Sequence, residues 1–233
     1  YRVSGAPENV NSDIITSKLL ANDDDMKYGL TDTLELNEKS LTNIDAGFIE
    51  NEIFDLSLNK YISKVTIQNT TGTITKQYNK EHLAKLEIDA KKLAGSTVIV
   101  EYTMEIKNEG EIAGYANEIV DYMPKDLTFS SQMNKDWYLS TDGNLHTTAL
   151  AKELINPGET KTIVLTLVKT MTEGNTGLTS NEAKIVKSSN ELSIPDVDSK
   201  ETSKGQNDRS TADMIISIRT GIEFTIGIIV AII

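Results

Sequence analysis

The sequence predicts an all-β protein built as a β-sandwich. Apolar and polar residues alternate with a period of two along most of the chain, and many of the apolar residues are β-branched. Long segments with helical periodicity are absent from the sequence. Turn-forming residues separate the alternating segments, as at Asn69–Gly72, Asn156–Gly158 and Gly174–Gly177. Short strands spaced by such turns are typical of a sandwich.

The strand candidates follow one another closely along the chain. In order they are Thr33–Leu36, Ile44–Ile49, Phe54–Gln68, Ile74–Tyr78, Leu86–Ile88, Val98–Lys107, Tyr115–Met123, Leu127–Ser131, Trp137–Ser140, Leu145–Thr148, Lys161–Thr170 and Leu178–Lys187. A short strand ends and a long one begins around Gly47–Ile53, so we place a domain boundary near Asn51. Residues 1–51 are then a partial β domain, and residues 52–194 form the sandwich.

The chain after residue 194 changes composition twice. Residues 195–211 are rich in Ser, Asp, Lys and Glu, which predicts a polar linker or a long loop. Residues 212–220 regain the alternation of a strand and predict a possible edge strand of the sandwich.

The last segment, 221–233, contains the uncharged run FTIGIIVAII. A bilayer-spanning helix needs about 20 residues, so the run is either the start of a truncated transmembrane helix or a buried strand. We favour the helix, because a polar tether precedes the run. The chain opens at Tyr1 with neither an initiator methionine nor a signal peptide, and we expect it to be truncated there as well.

Composition argues against several functional classes. The formal net charge of −12 repels phosphate backbones, so we expect no nucleic-acid partner. The chain has no cysteine, and its two histidines, His82 and His146, are not in a metal-ligand spacing. We therefore expect neither an enzyme nor a cofactor or metal, and we expect no thiol chemistry.

Strand parity singles out three polar residues that point inward. Lys60 lies on the apolar face of Phe54–Gln68, and Asn181 lies on the inward face of Leu178–Lys187. Asp121 falls between two apolar residues of its own strand. Each could be an ordinary buried polar group that is paired or caps a turn. Together they could form an isopeptide bond: a neutral lysine attacks the asparagine carboxamide while a protonated acid polarises its carbonyl, and ammonia leaves.

Other candidate sites are weaker. Asp23, Asp24 and Asp25 form an acidic run that could bind calcium, but it lacks the spacing of an EF-hand loop, and such runs are usually solvated. Trp137 could be an exposed aromatic that contacts a ligand, although a single tryptophan more often fills a sandwich core.

Several segments resemble the repeated β-sandwich domains of Gram-positive surface proteins. They are Phe54–Lys60, Val98–Thr103 with Asn108–Gly110, Ile119–Pro124 with Leu127–Phe129, and Ser180–Ala183. The pattern is similar to the conserved-repeat domain, known as domain of unknown function 11, which is related to collagen-adhesin domains. The segment Asn43–Ile49 resembles the closing strand of a B-type domain of the serine-aspartate-repeat adhesins. The resemblance implies an immunoglobulin-like, adhesin-type sandwich preceded by the remnant of a B-type domain.

The resemblance also implies a function. Such domains serve as stalk modules of cell-surface proteins, and related domains contain Lys–Asn isopeptide bonds. Lys60 would then be the amine, Asn181 the amide and Asp121 the assisting acid. We expect an extracellular, membrane-anchored stalk whose partners are the neighbouring domains of the same surface protein and the membrane. The first alternative is an adhesin module that binds a host protein or glycan through exposed loops such as Gln132–Ser140. The second is a secreted hydrolase, which would need carboxylates converging in a cleft.

Overall fold

The structure is a computed structural model that describes residues 53–198 and 206–219, together with the backbone of residues 16–20 and 23–30. The chain divides into two compact units, Tyr1–Asn51 and Glu52–Ile233.

The first unit contains an antiparallel hairpin of β1 (Thr16–Leu20) and β2 (Asp23–Leu30). The acidic run Asp23–Asp25, which we expected to lie in a loop, forms the beginning of β2. The side chains of Asp23, Asp24 and Asp25 lie outside the described part of the chain, as do the strand candidates at 33–36 and 44–49.

The described residues of the second unit form eleven strands and one short helix. Its elements are β3 (Leu56–Asn69), β4 (Gly72–Gln77), β5 (Ala84–Asp89), α1 (Ala90–Leu93), β6 (Thr97–Asn108), β7 (Tyr115–Tyr122), β8 (Thr128–Phe129), β9 (Tyr138–Leu139), β10 (Leu145–Thr147), β11 (Thr160–Thr170), β12 (Gly177–Ser189) and β13 (Arg209–Arg219). The predicted strands from Phe54 to Lys187 agree with β3–β12 to within a few residues. The all-β prediction is confirmed.

These strands form two sheets. The five-stranded sheet has the order β4-β3-β6-β11-β8, and the six-stranded sheet has the order β5-β13-β12-β7-β10-β9. All pairings within them are antiparallel except that of β13 with β5, which is parallel. Inward side chains of both sheets form one apolar core, including Leu58, Ile62, Val100, Tyr102, Met104, Ile119, Leu165, Leu167, Ile185, Met214 and Ile216. The second unit is therefore a β-sandwich, as the alternation predicts.

One prediction about the C-terminal part is wrong. The strand predicted at 212–220 as an edge strand is β13, and it lies inside its sheet between β5 and β12. The sandwich therefore does not end at residue 194. The predicted linker at 195–211 is partly packed on the domain, because Asp196, Asp198 and Asp208 are buried. The reason is that polar composition reports solvation on average, while Asp196 and Asp198 accept hydrogen bonds from the backbone N–H groups of Leu56 and Asn207.

The predicted transmembrane segment at 221–233 lies outside the described residues. Within the described ranges, no helix is long and apolar enough to cross a membrane.

The position of β13 generates a prediction about fragments. A fragment of residues 52–221 should unfold cooperatively, whereas a fragment of residues 52–205 should not fold. The shorter fragment loses the fully buried Met214 and Ile216, each worth about 2–5 kcal/mol, and exposes both neighbouring strands. Thermal unfolding and limited proteolysis compare the two fragments. Equal protease resistance would contradict the interior position of β13.

Candidate functional site

The three residues singled out by parity lie at one level of the sandwich. The Lys60 backbone N–H donates to Ser210 Oγ at 2.9 Å. Ser210 pairs with Ala183 across β13 and β12, and Ala183 pairs with Asp121 across β12 and β7. A continuous row therefore leads from the backbone of Lys60 to Asp121.

Asn181 belongs to the same level. It lies two residues before Ala183 on β12 and so shares the inward face. It is the diagonal neighbour of Asp121, and Cβ atoms in such pairs are no more than about 7–8 Å apart. Lys60 is on the opposite sheet, and its side chain reaches across the interior to Asp121.

Lys60 and Asp121 form a buried ion pair. Lys60 Nζ donates to Asp121 Oδ2, and both side chains are 0% exposed. The amine also lies 4.7 Å from the ring centroid of Tyr102, on the face of the aromatic ring. A ring face stabilises a cation, so Tyr102 and Asp121 together hold the amine between the sheets.

The Asn181 carboxamide is fully buried and makes no hydrogen bond of normal geometry through either Nδ2 or Oδ1. Burial raises the pKa of the Asp121 carboxyl and of the Tyr102 hydroxyl, and Asn181 lies close enough to both groups to oppose part of each rise. Asp121 Oδ1 and Tyr102 Oη are also buried without a partner. An unpaired buried polar atom costs about 1–3 kcal/mol, so a cluster of them in a well-packed core calls for a physical explanation.

Burial brings the proton affinities of the amine and the acid toward each other. Desolvation lowers the pKa of Lys60 to about 8, although the charge and hydrogen bond of Asp121 oppose this effect. Desolvation raises the pKa of Asp121, while Lys60 and Asn181 oppose the increase. Transfer of the shared proton from Lys60 to Asp121 is therefore much easier than in water, and it yields a neutral amine beside a protonated acid.

Tyr102 also belongs to this site, but the sequence does not single it out, because its position on β6 follows the apolar alternation. A second buried lysine, Lys169, was not predicted either. Lys169 Nζ donates to Asp126 Oδ2 at 2.5 Å and to Thr179 Oγ1 at 2.8 Å. Asp126 is 40% exposed, and the pair has a hydroxyl where the first site has a carboxamide. Lys169 is thus a natural internal control for Lys60.

Trp137 is buried, and its indole N–H donates to the Val164 carbonyl oxygen at 2.9 Å. The indole therefore fills the core. It is not available as the exposed aromatic that the ligand-binding alternative requires.

Comparisons with known proteins give structural neighbours only. No family model and no curated protein matches the chain. The solution structure of the CARDB domain of PF1109 from Pyrococcus furiosus is 16% identical, with a TM-score of 0.32 over 72% of this chain and 98% of that chain. A crystal structure of the same domain in complex with di-metal ions is 15% identical, with a TM-score of 0.32 over 73% and 100%. BslA, a bacterial hydrophobin, is 13% identical, with a TM-score of 0.33 over 73% and 100%. The resemblance to Gram-positive surface repeats remains a prediction.

The lowered pKa of Lys60 generates a prediction for Asn181→Ala, which has no carboxamide to react. Its free energy of unfolding should rise as the pH is raised from about 8 toward 10.5. In this window the unfolded chain keeps the Lys60 proton while the folded chain has lost it, so stability increases with pH. Urea unfolding at several pH values measures the effect, and Lys60→Met in the same background is the control in which the rise should vanish. A slope that is flat or negative in Asn181→Ala would show that the amine is not destabilised as a cation.

Proposed function

We propose that the domain is a structural stalk module of an extracellular bacterial surface protein, and that an intramolecular isopeptide bond between Lys60 and Asn181 locks it. The observation that carries the proposal is the buried Lys60–Asp121 pair beside an unpaired carboxamide. An amine, an amide and a proton carrier are the groups that the reaction needs, and solvent water is excluded from all of them.

The reaction balances with the groups present. Proton transfer to Asp121 leaves a neutral Lys60 amine, which attacks Asn181 Cγ. The protonated Asp121 carboxyl donates a hydrogen bond to the amide oxygen as negative charge develops there. A bond forms between Lys60 Nζ and Asn181 Cγ, and the bond from Cγ to Nδ2 breaks. The amine proton passes through Asp121 to the leaving nitrogen, which departs as ammonia.

The reaction also removes the buried charges of Lys60 and Asp121 and the unpaired carboxamide of Asn181, all of which are unfavourable in an apolar core. Before reaction, the core holds a buried ammonium–carboxylate pair and, beside it, a carboxamide that has no hydrogen-bond partner. After reaction, it holds a neutral secondary amide and a neutral carboxylic acid that can donate to the new carbonyl oxygen. Because unpaired buried polar groups are costly, the folded core favours the crosslinked product.

The position of the bond fits a load-bearing module. It would join β3, the first strand of the sandwich, to β12 of the opposite sheet. By analogy with a disulfide that closes a loop of about 100 residues, constraint of the unfolded chain would contribute roughly 5 kcal/mol. A cysteine-free chain has no disulfide to supply this stabilisation.

The ligand-binding adhesin is the alternative. It depends on exposed recognition residues in 132–140, and burial of Trp137 removes the most favourable of them. This supports the stalk over the adhesin.

Intact mass spectrometry tests the proposal on the purified full-length chain. The wild type should weigh one ammonia molecule less than its sequence mass, because crosslinking expels that molecule. Lys60→Met and Asp121→Ala should each have their full sequence mass, since the first removes the nucleophile and the second removes the proton carrier.

The second buried lysine supplies the matched control. Lys169→Ala removes an amine of similar burial that has no carboxamide to react with, so this variant should still lose one ammonia. A wild type at its uncorrected sequence mass would rule out the bond. Complete ammonia loss in Asp121→Ala would instead show that another group handles the proton.

A further inference from the structure

A second cluster of buried polar groups lies at one end of the sandwich. Asp55, which directly precedes β3, meets Asp196 and Asp198 from the segment that follows β12. One carboxylate oxygen of each residue lies within 4.8 Å of the others. Asp196 and Asp198 are buried, and Asp55 is half-buried.

Asp208, at the start of β13, adds a fourth carboxylate. Desolvation, together with the charges of Asp196, Asp198 and Asp55, raises its pKa to about 7, although the charge of Lys184 opposes this rise. It therefore lies within electrostatic range of the whole cluster. Among the described residues, no lysine or arginine forms an ion pair with Asp55, Asp198 or Asp208.

Backbone hydrogen bonds hold the acidic segments together. Leu56 N–H donates to Asp196 Oδ2 at 3.0 Å, and Asn207 N–H donates to Asp198 Oδ2 at 2.9 Å. Asn207 Nδ2 donates to Asp55 Oδ1 at 3.3 Å. The carboxylates are thus fixed by the fold and do not depend on flexible surface side chains.

Several oxygen atoms at the cluster have no donor. Asp198 Oδ1, Asp208 Oδ1 and Asn207 Oδ1 are buried without a hydrogen-bond partner. Asp198 and Asp208 are only 5% and 2% exposed. Buried acceptors without donors are costly, and a cation among the Asp55, Asp196 and Asp198 carboxylates would offset this cost, because a metal ion accepts several oxygen ligands at once.

We infer that Asp55, Asp196 and Asp198 form a binding site for a hard divalent cation, that the buried carboxylate of Asp208 adds negative charge beside it, and that calcium is the preferred ion. All candidate ligands are oxygens, which disfavours soft metals that select sulfur and nitrogen. Calcium accepts several carboxylate and carbonyl oxygens in irregular geometry, whereas magnesium needs near-octahedral geometry and retains its waters.

The cation would connect segments that are far apart in sequence. It would link the chain that enters β3 to the chain that leaves β12, next to the start of β13. The residues just before β13 also contact β3, because the Leu58 N–H donates to the Asn207 carbonyl oxygen at 2.8 Å. Binding would therefore stabilise the docking of β13, which completes the six-stranded sheet.

Calcium titration of the full-length protein by isothermal calorimetry, with thermal unfolding in parallel, tests the inference. The metal-free wild type should bind one calcium ion at this site, and a saturating excess should raise its melting temperature by about 5–10 °C. Asp198→Asn and Asp208→Asn should each weaken binding by at least about tenfold, because the first removes a charged ligand and the second removes a buried negative charge beside the site.

The variants should also show a reversal that general damage to the fold would not produce. In chelator, Asp208→Asn should melt at or above the temperature of the wild type, because it removes a buried like charge. In calcium, it should melt below the wild type. Asp136→Asn, which removes an exposed carboxylate elsewhere, is the matched control and should leave binding unchanged.

Absence of calcium binding by the wild type, or unchanged binding in both Asp198→Asn and Asp208→Asn, would overturn the site. A double variant with Asp23→Asn and Asp24→Asn tests the first unit. If it loses calcium binding while Asp198→Asn binds normally, calcium belongs to the first unit instead. An equal temperature shift from the same concentration of magnesium would overturn the preference for calcium.

Discussion

The structure depends most on the burial of Lys60 against Asp121 between two apolar sheets. A buried ion pair generally adds little stability compared with apolar residues of the same volume, whereas removing one partner is strongly destabilising. Packing alone therefore does not explain why a lysine occupies this position. The shared proton, the adjacent Tyr102 ring and the unpaired Asn181 carboxamide give the pair a chemical explanation.

Much of this site could be predicted from the sequence because strands alternate with a fixed period of two. Parity alone places Lys60, Asp121 and Asn181 inside, and all three are buried. The same periodicity locates β3–β12, since their apolar faces meet across one core. Tyr102 escaped notice because an aromatic residue on an apolar face has the same pattern whether it fills space or contacts an amine.

The remainder depends on contacts that are distant in sequence. β13 has the alternation of a strand, but its place between β12 and the parallel strand β5 is a matter of topology. The acidic tract before it, residues 195–208, has the composition of a solvated linker. Composition does not reveal that the Leu56 N–H donates to Asp196, 140 residues away in sequence. The candidate cation site does not stand out in the sequence for the same reason, because its carboxylates at Asp55 and at Asp196 and Asp198 are far apart in the chain.

Pulling the domain from its two ends in a single-molecule force experiment tests the central claim most directly, because a stalk carries load along that axis. With Lys60 joined to Asn181, the chain between them cannot extend, and only the flanking residues should lengthen. Without the bond, that inner chain would add roughly 400 Å at 3.3–3.6 Å per residue. We predict that the wild type lacks this extension and that Lys60→Met shows it. Full extension of the wild type would contradict the presence of the bond.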